Sequence, residues 1–121
     1  MATLLYVDDE ETIGRAVARW FERRGHVVHV AKSIADAQTL LVHVQPDVLF
    51  IDVWLGTESG FELQEWIAAR IPRLARRLAF VTGDTTPDEP YATRLAEAGL
   101  PVLAKPFDFD RLEEVVRGWT G

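Results

Sequence analysis

The sequence predicts an α/β fold, a doubly wound parallel sheet of five strands with helices on both faces. Three observations carry this. A short apolar, β-rich run recurs five times; each is followed by apolar residues at helical spacing; and glycine or proline stands at most of the helix ends.

Thr3 to Val7 (TLLYV) is too short for a helix and shows little polar alternation, as expected of a strand covered on both faces. The helix after it spans about Glu10 to Arg24, with Ile13, Val17, Trp20 and Phe21 on one side and Gly25 where a C-terminal cap is expected. Val27 to Ala31 (VVHVA) is the second strand. Ser33 can cap the second helix, whose stripe is Ile34, Ala37, Leu40, Leu41 and Val44. That helix must stop before Pro46, because proline disfavours helical geometry in the residue ahead of it. Val48 to Ile51 (VLFI) is the third strand, followed by a helix over about Gly60 to Ile71 that carries Phe61, Leu63, Trp66 and Ile67 and is closed by Pro72. Leu78 to Val81 (LAFV) is the fourth. Pro87 and Pro90 exclude a regular helix throughout Asp84 to Tyr91, so a loop is expected there, then a short helix near Tyr91 to Ala98 ended by Gly99. Pro101 to Ala104 (PVLA) and a helix over about Phe109 to Trp119, burying Leu112, Val115, Val116 and Trp119, complete the series.

Strict alternation of strand and helix implies right-handed crossovers. Five such units in 121 residues suit the flavodoxin-like strand order 2-1-3-4-5 better than a six-stranded dinucleotide fold. In such sheets ligands bind outside the carboxyl ends of the strands, at the switch point between strands 1 and 3. Function should therefore be sought just after each strand.

The bulk composition narrows the function classes. A chain of 121 residues can bury about two-thirds of its unfolded surface, so one core is expected and residues 1–121 are read as a single domain. The absence of cysteine excludes disulfides and thiolate metal sites. No basic leader or membrane-length apolar run is present, and a cytoplasmic protein that binds no membrane is expected. A net charge of −6 argues against direct binding of nucleic acid, and the basic run Arg70, Arg73, Arg76 and Arg77 reads as a solvated helix end and loop. His26, His29 and His43 stand at edge positions where surface or hydrogen-bonded histidines are ordinary.

The strand ends are where chemistry collects. Asp8, Asp9 and Glu10 follow the first strand, Asp52 the third, Thr82 and Gly83 the fourth, and Lys105 with Pro106 the fifth. The second strand, remote from the switch point, has no carboxylate after it. Carboxylates about 5 Å apart repel by roughly 3 kcal/mol per pair at an effective dielectric near 20, so such a cluster needs a cation. Hard oxygen donors without His or Cys suit Mg²⁺. Helix capping would explain one of Asp8 and Asp9, but neither Asp52 nor Lys105. A carboxylate beside Mg²⁺ and a lysine can act as a nucleophile toward a phosphoryl group.

These residues resemble the receiver domain of two-component response regulators over the whole chain. The matching pieces are LLYVDDE at 4–10, DVLFIDVWLGTESGFEL at 47–63, FVTGD at 80–84 and PVLAKPFDFDRL at 101–112. The resemblance implies phosphorelay signalling rather than an enzyme of independent turnover. Asp52 would accept phosphate from a histidine kinase or a histidine phosphotransfer protein. Asp9, Asp52 and the Trp54 backbone carbonyl would ligate Mg²⁺, with Asp8 acting through water. Thr82, Gly83 and Lys105 would bind the phosphoryl group, and Lys105–Pro106 would be cis. A phosphorylation-dependent dimer is the assembly that would accompany it. The TGD run, the proline-broken fourth helix and PVLAKPF look more like receivers appended to hybrid histidine kinases than those joined to DNA-binding domains.

Three positions depart from the commonest pattern. Val102 replaces the aromatic that usually reports the state of the threonine, so the switch is expected to concentrate in residues 83–98. Gly56 replaces a frequent proline. Trp54, two residues after Asp52, could shield an acyl phosphate from water or simply pack on a neighbouring loop. Two other classes stay open: a Mg²⁺-dependent phosphohydrolase, which usually has a second carboxylate where Trp54 stands, and an unphosphorylated interaction module, which would normally lack one of Asp9, Asp52, Thr82 or Lys105.

Overall fold

The computed structural model describes residues 1–83 and 89–120. Its elements run β1 (Thr3–Val7), α1 (Glu11–Glu22), β2 (Val27–Ala31), α2 (Ile34–His43), β3 (Val48–Asp52), β4 (Trp54–Leu55), β5 (Glu58–Ser59), α3 (Gly60–Arg70), α4 (Pro72–Ala75), β6 (Leu78–Thr82), α5 (Glu89–Ala98), β7 (Val102–Ala104) and α6 (Phe109–Thr120). The main sheet is parallel, in the order β2-β1-β3-β6-β7. Since β4 and β5 form a separate hairpin, this is the expected 2-1-3-4-5 order.

Side chains alternate across a strand, so each central strand feeds two cores. Leu5, Val7, Leu49, Ile51, Leu78 and Phe80 face α2 and α3 through Ile34, Ala37, Phe61, Leu63 and Ile67. Leu4, Tyr6, Val48, Phe50, Ala79 and Val81 face α1 and α6 through Val17, Phe21, Leu112 and Val116. Trp66 packs against the first core, Trp20 and Trp119 against the second, so the tryptophan stripes are structural. Burial on both faces explains why β1, β3 and β6 read as continuous apolar runs.

The helix ends follow local chemistry. Ser33 Oγ accepts from the Asp36 N–H at 3.1 Å, capping α2 as expected. Gly25 and Gly99 adopt φ of +87° and +64° after α1 and α5, the left-handed conformation that a glycine C-cap supplies.

Several boundaries differ from the sequence reading. The third and fourth predicted strands extend one residue further, to Asp52 and Thr82, because these pair with Val81 and Ala104 in the sheet. Pro101 lies outside β7, although its carbonyl accepts from Phe80 N–H at 2.9 Å. Pro72 closes α3 but also opens the one-turn α4, since a first-turn residue needs no N–H donor. The same tolerance lets α5 include Pro90 and begin at Glu89, two residues ahead of the expected Tyr91. The rest of the expected Asp84–Tyr91 loop, residues 84–88, lies outside the described residues. The β4–β5 hairpin had no sequence signal beyond Gly56, whose φ of +66° turns it.

Candidate functional site

The sheet brings the carboxyl ends of β1, β3, β6 and β7 to one rim, where a cleft of about 320 Å³ is lined by Asp9, Glu10, Asp52, Trp54, Gly56, Thr82, Gly83 and Lys105. Asp52 is the last residue of β3 and only 6% exposed. Its Oδ1 accepts from the Trp54 N–H at 3.0 Å, and its Oδ2 from Lys105 Nζ. Asp8 is fully buried beneath the cleft: its Oδ2 accepts from the Tyr6 hydroxyl at 2.9 Å and pairs with Lys105 Nζ at 2.8 Å, while Oδ1 takes the Glu10 N–H. Asp8 thus fixes both the direction of Lys105 and the chain path into α1.

Asp52 sits there because α3 comes unusually close. Gly60, the first residue of α3, donates its N–H to the Val53 carbonyl at 2.7 Å. A Cβ on it would fall inside contact distance of the Asp52 carbonyl oxygen and 2.8 Å from Ile51 Cγ2. Sequence reasoning placed Gly60 only as a helix start. Its signal, a glycine eight residues after the strand-end aspartate, is legible only once the two backbones are seen together.

The acidic grouping also differs from the sequence reading in its details. Ligand oxygens of Asp8, Glu10 and Asp52 lie within 4.8 Å of one another. Asp9 lines the cleft separately, with Oδ2 accepting the Gly56 N–H at 3.0 Å, which ties the β4–β5 turn to the end of β1. Glu10, whose place after the first strand carries no sequence signal for a role, brings its Oε1 to 3.1 Å from Lys105 Nζ. Thr82, buried at the end of β6, and Gly83 complete the rim, and the Trp54 side chain is half-exposed at its mouth. The Lys105–Pro106 peptide is cis. The donor set fits a hard divalent cation: every acidic group offers oxygen, with no His or Cys among the cleft-lining residues.

The electrostatics follow from crowding. Burial pushes the Asp52 carboxyl up from 3.8 to about 6; the Lys105 hydrogen bond and Trp54 N–H oppose this, and the Asp8 charge adds to it. For Lys105, burial works against its charge, but hydrogen bonds to Asp52 and Asp8 outweigh it and hold the ammonium above its ordinary value. Tyr6 is raised by burial and by the Asp8 charge, so its hydroxyl stays a donor. Because the folded protein keeps a proton on Asp52 that the unfolded chain has released, stability without metal should fall as pH rises from about 4 to about 6. Melting curves in chelator across that range check this, and Asp52→Asn should flatten the decline.

A family model described as "Response regulator receiver domain" matches residues 4–117. The chain belongs to this family. Among curated relatives, the receiver domain is 31% identical over 120 residues to the sensory transduction protein LytT of Bacillus subtilis, covering 97% of this chain and 47% of LytT. It is 33% identical over 110 residues to the alginate biosynthesis transcriptional regulatory protein AlgB of Pseudomonas putida, covering 90% of this chain and 24% of AlgB. The chain thus spans about half of the one and a quarter of the other. Among solved structures, a response regulator from Burkholderia pseudomallei with a phosphorylated aspartic acid, calcium ion and citrate superposes with TM-score 0.82 at 26% identity, over 95% of this chain and 66% of that one. A CheY-like receiver from Methanospirillum hungatei superposes with TM-score 0.85 at 21% identity, over 98% and 92%, a likeness of fold. The receiver domain is a regulatory domain of two-component signalling, in which such domains receive phosphate from histidine kinases. No helix among the described residues is long and apolar enough to cross a membrane.

Proposed function

We propose that Asp52 of this receiver accepts a phosphoryl group from a phosphohistidine of a sensor kinase or phosphotransfer protein, with Mg²⁺ assisting, and that the added charge switches the surface the domain presents to partners. One observation carries this reading: a buried strand-end carboxylate touches an ammonium, with further carboxylates beside both, at the rim of a cleft open to solvent. An Asp52 oxygen attacks phosphorus, the bond to the histidine nitrogen breaks, and that nitrogen leaves with the bonding pair and takes a proton from solvent. Asp9, Asp52 and the Trp54 carbonyl would hold Mg²⁺, with Asp8 acting through water. When bound, the ion supplies positive charge to the phosphoryl oxygens.

Lys105 then pairs with one of those oxygens, and the Thr82 hydroxyl and Gly83 N–H donate to others. An apolar cleft of about 220 Å³, lined by Ile13, Ala16, Pro106, Phe107 and Phe109, adjoins Lys105 and offers a surface to a protein delivering the phosphohistidine. Incubation with acetyl phosphate and Mg²⁺, followed by intact-mass measurement, should show one added phosphoryl group. No addition would overturn the reading.

Trp54 bears on how long that group lasts. Its indole is 51% exposed at the cleft mouth, two residues from the acceptor, where it can screen the acyl phosphate from water. Trp54→Asn should speed phosphate loss several-fold; an unchanged half-life would leave the indole a packing role only. Val102 is 39% exposed and pairs with Phe80, so no aromatic at that position relays the switch. The response is expected in residues 83–98, of which 84–88 lie outside the described residues.

A further inference from the structure

Lys105 has three N–H donors and, among the described residues, meets three carboxylates: Asp52 Oδ2, Asp8 Oδ2 at 2.8 Å and Glu10 Oε1 at 3.1 Å. The three partners are not equivalent. Asp8 is buried and fixed by Tyr6 and the Glu10 N–H. Asp52 is the acceptor in the reading proposed above; its Oδ1 accepts the backbone N–H of Trp54 and its Oδ2 the Lys105 ammonium, so Oδ2 is the oxygen that a side-chain movement alone can free. Glu10 is the outer partner, with its side chain 59% exposed against 0% for Asp8 and 8% for Asp52.

Before Oδ2 can attack phosphorus, the ammonium must leave it yet stay within reach of the phosphoryl oxygens. Asp8 alone would draw it inward, onto a buried anion behind the acceptor. Glu10 pulls the other way, toward the cleft mouth. Its own backbone is anchored by Asp8 Oδ1 at the start of α1, so it need not move when Lys105 does. We propose that Glu10 is a positioning residue that retains Lys105 at the mouth of the cleft while Asp52 exchanges the ammonium for a phosphoryl group. The inference rests on Asp52 being the phosphoacceptor.

The chain offers a direct probe, because Lys32 and Lys105 are its only lysines. Lysine labelled with ¹³C and ¹⁵N gives two side-chain signals, and Lys32→Arg assigns them. In Glu10→Gln the Lys105 signal should shift in metal-free protein while Lys32, paired with Glu11 at 2.9 Å, stays put. Phosphorylation by acetyl phosphate should slow about tenfold, the worth of one charge-assisted hydrogen bond, and remain slow at saturating Mg²⁺. A wild-type rate with an unmoved Lys105 signal would overturn the proposal. So would a deficit that vanishes at high Mg²⁺, which would make Glu10 a cation ligand instead. If the wild-type chain takes up no phosphate, the phosphoacceptor reading fails first and this inference with it.

Discussion

Asp52→Asn should take up no phosphoryl group from acetyl phosphate under conditions in which the wild-type chain gains one. The expected loss is at least about a thousandfold in rate, roughly 4 kcal/mol of barrier. The amide is the same size but lacks the negative charge, so it is a poor nucleophile toward phosphorus and a weak partner for both a divalent cation and Lys105. The fold should survive, because the change replaces a buried carboxylate that shares one ammonium with Asp8 and Glu10. Above pH 6 without metal, the variant should melt higher than the wild type, since the charged form of Asp52 is the one that burial disfavours. Phosphate appearing in the variant on Asp8, Asp9 or Glu10 would move the acceptor to that residue, and peptide mapping after reduction of the acyl phosphate would show which.

Gly60→Ala should give the largest loss of stability of any single methyl addition near the site. The new Cβ would press on the Asp52 carbonyl and lie 2.8 Å from Ile51 Cγ2. Neither can yield easily: one is backbone in a central strand and the other a fully buried side chain. Forced overpacking of this kind costs about 3 kcal/mol or more, which for a domain of this size lowers the melting temperature by roughly 10 °C. Relief must come from moving either α3 or the end of β3. Acceptor geometry should therefore suffer too, with slower phosphorylation even well below the melting temperature. Gly83→Ala is the control for melting, because among the described residues a Cβ there meets nothing within 4 Å. A Gly60→Ala protein with wild-type melting would mean that α3 can stand further off than it does.

The recurrence of short apolar runs and helical stripes, with Gly25, Pro46, Pro72 and Gly99 as stops, was enough to determine the five-stranded parallel sheet and its order. These are local signals: periodicity and punctuation act over a few residues and need no knowledge of the partner. The placement of Asp8, Asp9, Asp52, Thr82 and Lys105 at one rim followed, because topology alone brings strand ends together. Which of these groups touch was not determined locally. Lys105 reaches Glu10 across 95 residues of chain and Asp52 across 53, and Gly56 reaches Asp9 across 47. Separations of that length are set by how helices pack on the sheet, to within a few tenths of an ångström, and no residue pattern encodes them. The β4–β5 hairpin, the turn of α4 and the close approach of Gly60 to Asp52 belong to the same class. The sequence alone thus determined where the carboxylates gather, and the tertiary structure decided that one ammonium is shared among three of them, because only packing sets the distances over which those charges act.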